Sequence, residues 1–187
     1  MNNYQRQYPL FSACGLNCGL CPRYHTDGKS QCPGCAGEGF LTKHPSCGII
    51  SCCQRHAIEY CYLCDEYPCK KYDGADLTDS FITHYNQLKD FEKVKNIGLD
   101  AYQAEQNEKV EMLRNLLGNY NDGRQKNFFC IAVNLLEMED VKHVMEQITY
   151  EAKPEDSIKE KSAIAVRLFQ NMADTRNITL KLRKKKN

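Results

Sequence analysis

The chain has 187 residues, of which 42% are hydrophobic and 26% charged, with a formal net charge of +1. Such a composition fits one ordinary domain or two small ones and excludes a disordered chain. No segment approaches the roughly 18 apolar residues needed to span a bilayer, and Met1 to Asn17 carries no basic patch followed by an apolar run, so a cytoplasmic protein without membrane attachment is expected.

Eleven of the twelve cysteines lie between Cys14 and Cys69, and only Cys130 follows. Thiols stay reduced in the cytosol, so this density points to metal or to thiol chemistry rather than to disulfides. The same stretch is poor in Leu, Ile and Val and is interrupted by Pro22, Gly28, Pro33, Gly34, Gly37, Gly39, Pro45, Gly48 and Pro68. So short and aliphatic-poor a segment cannot offset its chain entropy by apolar burial and requires cross-links. A boundary at Asp73-Gly74 follows, with a cysteine-rich metal-binding domain over 1–74 and an α-helical domain with a basic tail over 75–187.

Beyond the boundary the periodicity turns helical. Asp79 is placed to cap a helix over about 80–96 that Gly98 closes, with Ile82, Tyr85 and Phe91 at helical spacing. A second helix is expected from Asp100 to Leu117, with Val110, Leu113, Leu116 and Leu117 on one face, and Gly118 after it. The turn formers Asn119 to Gly123 lead into an apolar helix through Phe128, Phe129, Ile131, Ala132, Leu135 and Leu136, with Cys130 as a buried core side chain. Helices from Asp140 to Tyr150 and from Glu155 to Met172 complete the series. Alternation of Ile178, Leu180 and Leu182 suggests a short strand or extended tail over Thr175–Arg183, before Lys184-Lys185-Lys186. The expected fold class is mainly α: an irregular, metal-stabilised N-terminal domain and a bundle of about four to five helices.

The cysteine spacing carries the chemistry. Three Cys-x2-Cys pairs occur, Cys18/Cys21, Cys32/Cys35 and Cys61/Cys64, beside Cys14, Cys47, the adjacent Cys52-Cys53 and Cys69. Two intervening residues let both sulfurs of a tight turn face one ion at about 2.3 Å, and a second turn completes a tetrahedron. Two zinc ions are expected. Proximity in sequence assigns the first to the Cys14, Cys18, Cys21, Cys32, Cys35 cluster and the second to Cys47, one of Cys52 and Cys53, Cys61, Cys64 and Cys69, with crossed pairing open. Neighbouring side chains diverge, so one of Cys52 and Cys53 is a spare or serves another site. His44 and His56 rank ahead of His25 as additional ligands.

The strings Cys14-Gly15-Leu16-Asn17-Cys18-Gly19-Leu20-Cys21, Cys32-Pro33-Gly34-Cys35 and Cys61-Tyr62-Leu63-Cys64-Asp65-Glu66-Tyr67-Pro68-Cys69 resemble the prokaryotic cysteine-rich domain of unknown function numbered 3795, over about residues 11–73. The resemblance implies a cytoplasmic metal-binding domain, presumed to hold zinc, and implies no reaction. Cys53 is additional to the family's pattern, which favours Cys52 as the ligand of the adjacent pair.

An iron–sulfur protein for redox or electron transfer is the alternative. Cubane clusters take four thiolates, Cys21 and Cys32 precede proline as in ferredoxins, and Cys14-x3-Cys18-x2-Cys21 has the spacing of radical enzymes that cleave S-adenosylmethionine. Against it, the ferredoxin run of gaps is absent, and consecutive helices replace the radical enzymes' alternating strands and helices.

Residues 1–74 hold seven Lys and Arg against six Asp and Glu, and each four-cysteine zinc site carries about −2. The metal domain is then acidic, which disfavours nucleic acid. Tyr60, Tyr62, Tyr67 and Tyr72 near the last cysteines are expected to cover sulfur and fill a thin core, with a protein docking surface as their other use. No phosphate loop, His-Glu-x-x-His motif or nucleophile elbow is present, so no catalytic residue is assigned. A binding or adaptor module is the expected role, with Cys53 as the uncommitted thiol.

Overall fold

The structure, a computed structural model, describes residues 5–75 and 77–184. Among the described residues seven α-helices follow one another: α1 (Phe40–Lys43), α2 (Gly48–Arg55), α3 (Gln87–Ile97), α4 (Leu99–Asn119), α5 (Lys126–Leu135), α6 (Met138–Glu151) and α7 (Ile158–Thr175). No strand forms among the described residues. The protein is therefore mainly helical, with an irregular cysteine-rich start. Five helices follow Gly74, at the upper end of the expected number.

The chain packs as two compact units, one running to Gln103 and regaining the chain from Arg183 onward, the other spanning Ala104–Leu182. The Asp73-Gly74 boundary and this division measure different things: cysteines stop at the first, and contacts thin at the second.

In the first unit, residues before Gly74 form single 3₁₀ turns at Cys18–Leu20, Gly28–Ser30, Cys61–Leu63 and Lys70–Tyr72 together with the short α1 and α2. Glycine and proline cut any longer helix short there. The apolar filling is aromatic: Phe11, Tyr60, Tyr72, Phe91, Val94 and Tyr102 form one cluster. Phe11 lies 4.8 Å from Tyr102, 5.4 Å from Tyr60 and 5.5 Å from Phe91, ring to ring. The tyrosines thus pack as core rings. A second cluster of Ala13, Cys35, Ala36, Phe40, Ile50 and Cys53 sits among the sulfurs.

The α3 helix starts at Gln87, later than the periodicity indicates. Asp79 does not cap it: its carboxylate accepts the His84 N–H (2.7 Å) and the Arg183 N–H (2.7 Å), which holds the intervening residues in turns while Ile82 is still buried.

The second unit is aliphatic. Val110, Leu113 and Leu116 of α4 are buried with Phe129, Cys130 and Val133 of α5, and α7 packs on α5 and α6. Gly118 lies inside the last turn of α4 rather than beyond it. At the start of α7, Ser157 and Glu160 form a capping box. After it, Asn177 takes a positive φ of 54° and Ile178 N–H bonds Ala173 O (2.8 Å), an αL helix ending. The strand expected over Thr175–Arg183 does not form: Thr175 still belongs to α7, and the extended residues that follow have no ladder to join. Of the basic tail, Lys185 and Lys186 lie outside the described residues.

Candidate metal centre

Two of the Cys-x2-Cys pairs are built alike. Leu20 N–H bonds Asn17 O (2.9 Å), Cys21 N–H bonds Cys18 O (3.1 Å) and Tyr24 N–H bonds Cys21 O (3.0 Å). The same three bonds recur as Leu63 to Tyr60 (3.1 Å), Cys64 to Cys61 (3.0 Å) and Tyr67 to Cys64 (3.0 Å). Cys21 and Cys64 share nearly the same backbone angles, φ −83°, ψ 135° and φ −87°, ψ 136°. The sequence signal is Cys-x-Leu-Cys-x-x-Tyr at 18–24 and again at 61–67, an internal repeat that pairwise cysteine spacing does not expose. The third pair differs, since Cys35 N–H bonds Pro9 O (2.8 Å) and Cys32 N–H bonds Arg23 O (3.0 Å).

All twelve cysteines are free thiols. Several of them influence one another. Burial pushes the Cys14 thiol up to about 12, with Cys35 and Cys47 adding to the rise and the neighbouring Ser12 hydroxyl, 3.1 Å away, opposing it. Burial raises Cys18 well above its ordinary value, with Cys35, Cys14, Cys21 and Cys32 adding to it, and burial likewise raises Cys21 and Cys35. Cys47 packs against the cluster that holds both Cys35 and Cys53.

Cys53 and Cys61 form a close sulfur pair. Cys53, on the buried face of α2 at 1% exposure, has its sulfur 3.8 Å from Cys61 Sγ. Sharing a proton with Cys53 lowers Cys61 to about 7 and raises Cys53. Cys52, one residue earlier on the helix, is half-buried. The structure thus turns Cys53 rather than Cys52 toward Cys61, the reverse of the ranking that the family pattern suggests. Cys64 is one turn from Cys61, and Cys69 packs with Cys14 and Cys61 against the aromatic cluster.

His25 Nε2 donates to Gly19 O (2.7 Å), His44 Nδ1 donates to Pro45 O (2.9 Å) while its ring stacks on Phe40, and His56 is exposed.

One cation is buried among the sulfurs. The Arg6 side chain is fully buried; its Nη1 donates to Phe11 O (2.6 Å) and its guanidinium lies over the Tyr60 ring at 4.5 Å. Burial disfavours its charge, yet Cys35, Tyr60 and Glu59 outweigh that and raise its pKa. Arg6 carried no signal in the sequence, being one arginine outside the cysteine strings.

Residues 10–74 match the family described as Protein of unknown function (DUF3795). The resemblance drawn from the cysteine strings holds over that range. No curated protein and no solved structure matches the chain.

The DUF3795 segment contains all ten cysteines expected as ligands, but its loops are held from outside it. Cys14 O accepts Gln87 Nε2 (2.9 Å) as well as Tyr72 Oη (3.2 Å). Asn17 donates to Asp90 (2.9 Å) and accepts from Tyr102 (3.0 Å). Helix α3 and the start of α4 therefore complete the unit in which the DUF3795 cysteines sit. Among the described residues no three Cys, His, Asp or Glu side chains stand together as a set able to hold a metal ion. What the segment presents is thiol chemistry: free thiols, tight turns and a buried cation, a donor set whose chemistry suits zinc or another thiophilic metal.

Proposed function

We propose that this is a cytoplasmic zinc protein whose cysteine-rich unit is organised by two zinc ions and serves as a binding or adaptor module for a protein partner. One observation carries the metal reading: four sulfurs held tetrahedrally about 2.3 Å from zinc stand about 3.8 Å apart along each edge, and Cys53 and Cys61 are separated by that distance, 3.8 Å. Cys14, Cys18, Cys21, Cys32, Cys35 and Cys47 form the donor pool of one ion. Cys53, Cys61, Cys64 and Cys69 hold the other, with Cys52 outside it. Bound zinc supplies a structural cross-link that the thin core lacks.

The adaptor role is supported by exposed apolar side chains. Among the described residues, Leu41, Leu63, Leu77, Phe81, Tyr85, Leu88 and Ile97 are exposed large apolar groups of this unit, against Tyr150 and Ile158 in the other. Apolar groups left exposed in such numbers favour docking of a partner. No helix among the described residues is long and apolar enough to cross a membrane, which agrees with a cytoplasmic address.

Metal analysis after anaerobic purification tests the proposal. The expected protein is colourless with about two zinc per chain. Cys53→Ser is expected to reduce this to about one, and Cys52→Ser to leave it at two. Brown protein containing iron would replace zinc with the iron–sulfur alternative.

A further inference from the structure

Arg6 precedes the DUF3795 match. Its guanidinium has two N–H positions, Nε and Nη2, that are buried without any hydrogen-bond partner. The nearest carboxylate oxygen, Glu59 Oε1, stands 3.6 Å from Nε and is itself buried without a hydrogen bond. A buried cation left this incompletely paired is costly, since each unsatisfied charged donor costs more than the roughly 1–3 kcal/mol of a neutral one. The position lies between the two thiol pools. Arg6 N–H bonds Ala36 O (3.2 Å), next to Cys35, and the guanidinium covers Tyr60, next to Cys61. A four-thiolate zinc site carries about −2, so two such sites would offer these donors anionic sulfur acceptors, and Cys35, which the guanidinium already hydrogen-bonds, is one of them.

We propose that Arg6 is the charge-compensating residue of the metal–thiolate core, its Nε and Nη2 groups donating to metal-bound sulfur and slowing loss of the metal from both pools. The inference rests on the zinc reading above. Arg6 is a positioning residue and ligates nothing itself. Outer-shell partners of this kind typically change metal affinity about 10- to 100-fold.

The test is zinc release from the intact chain to a chromophoric chelator at fixed neutral pH, compared among wild type, Arg6→Gln, Arg6→Lys and Glu59→Gln. Arg6→Gln is expected to release zinc at least about tenfold faster, and Arg6→Lys, which keeps the charge but not the planar fork, to fall between it and wild type. Glu59→Gln removes the competing carboxylate and is expected to release zinc no faster than wild type. Release from Arg6→Gln at the wild-type rate overturns the role of Arg6 while leaving the zinc reading standing. If Arg6→Gln does not fold, Glu59→Gln decides: accelerated release there means that Arg6 serves the Glu59 ion pair and not the sulfurs. Wild-type protein without zinc overturns both readings together.

Discussion

Gly15, between Cys14 and Leu16, takes φ +91°, and a Cβ added there meets Gln87 O at 2.6 Å and the Phe91 ring at 3.0 Å. Gly28 also has positive φ, +74°, but a Cβ there meets nothing within 4 Å. The pair separates backbone strain from close approach. Gly28→Ala carries the left-handed penalty alone, about 1–2 kcal/mol. Gly15→Ala adds a collision with backbone of α3, so its cost is expected to reach about 3 kcal/mol or more. Denaturant unfolding of the two variants, followed by tyrosine emission, checks this; equal midpoints would show that the Cys14 loop does not depend on its seat against α3.

One scale up, the turns between Asp79 and α3 are fixed by a clasp rather than by a helix. Arg183 Nη2 donates to Asp79 Oδ1 (2.7 Å), and Asp79 N–H bonds Arg183 O (3.0 Å). Burial alone would raise the Asp79 carboxyl, but the Arg183 hydrogen bonds and the His84 N–H outweigh it and hold the pKa below the ordinary value. A carboxyl depressed in the folded state contributes stability that is present above the unfolded pKa of about 3.9 and is lost as pH falls through the folded value. Asp79→Asn is therefore expected to destabilise the protein at pH 7 by about 2 kcal/mol, with the gap to wild type narrowing as pH falls below about 3.9. A pH-independent gap in urea midpoints would mean that packing, not charge, holds the clasp. The same clasp explains what the sequence could not tell about α3: helical spacing through Ile82 and Tyr85 was visible, but the competing bonds to Asp79 come from His84 and from Arg183, more than a hundred positions away. Where helices depend on their own apolar stripe, as in α4 to α7, periodicity located each of them, missing Gly118 only because a helix end tolerates glycine. Among the cysteines the Cys-x2-Cys turns were legible as local devices. Cys47 near Cys35, Cys53 turned inward on α2 and Arg6 buried against Tyr60 are products of tertiary packing, which spacing does not encode.

For the whole molecule, the two units draw on different sources of stability. The Ala104–Leu182 unit buries Leu113, Leu116, Val133, Val141, Val144 and Ile148, aliphatic burial worth about 1.5–3 kcal/mol per side chain. The cysteine-rich unit substitutes aromatic rings and sulfur, and structural zinc, at about 10–16 kcal/mol in small peptides, is comparable with or larger than the entire stability of a typical domain. If the proposed zinc is bound, removing it is expected to unfold one unit and spare the other. The distribution of chromophores makes this measurable: the chain has no tryptophan, and nine of its eleven tyrosines lie at or before Tyr102, whereas α5, α6, α7 and most of α4 lie beyond it. Excess chelator is expected to change tyrosine emission strongly while most far-UV helical ellipticity survives, and the surviving signal is expected to melt in a separate, metal-independent transition. Loss of both signals in a single step would mean that the aliphatic helices cannot stand without the metal unit. Unchanged emission after complete zinc removal would mean that the aromatic cluster around Phe11 folds without its cross-links, and the dependence of this unit on zinc would fall with it.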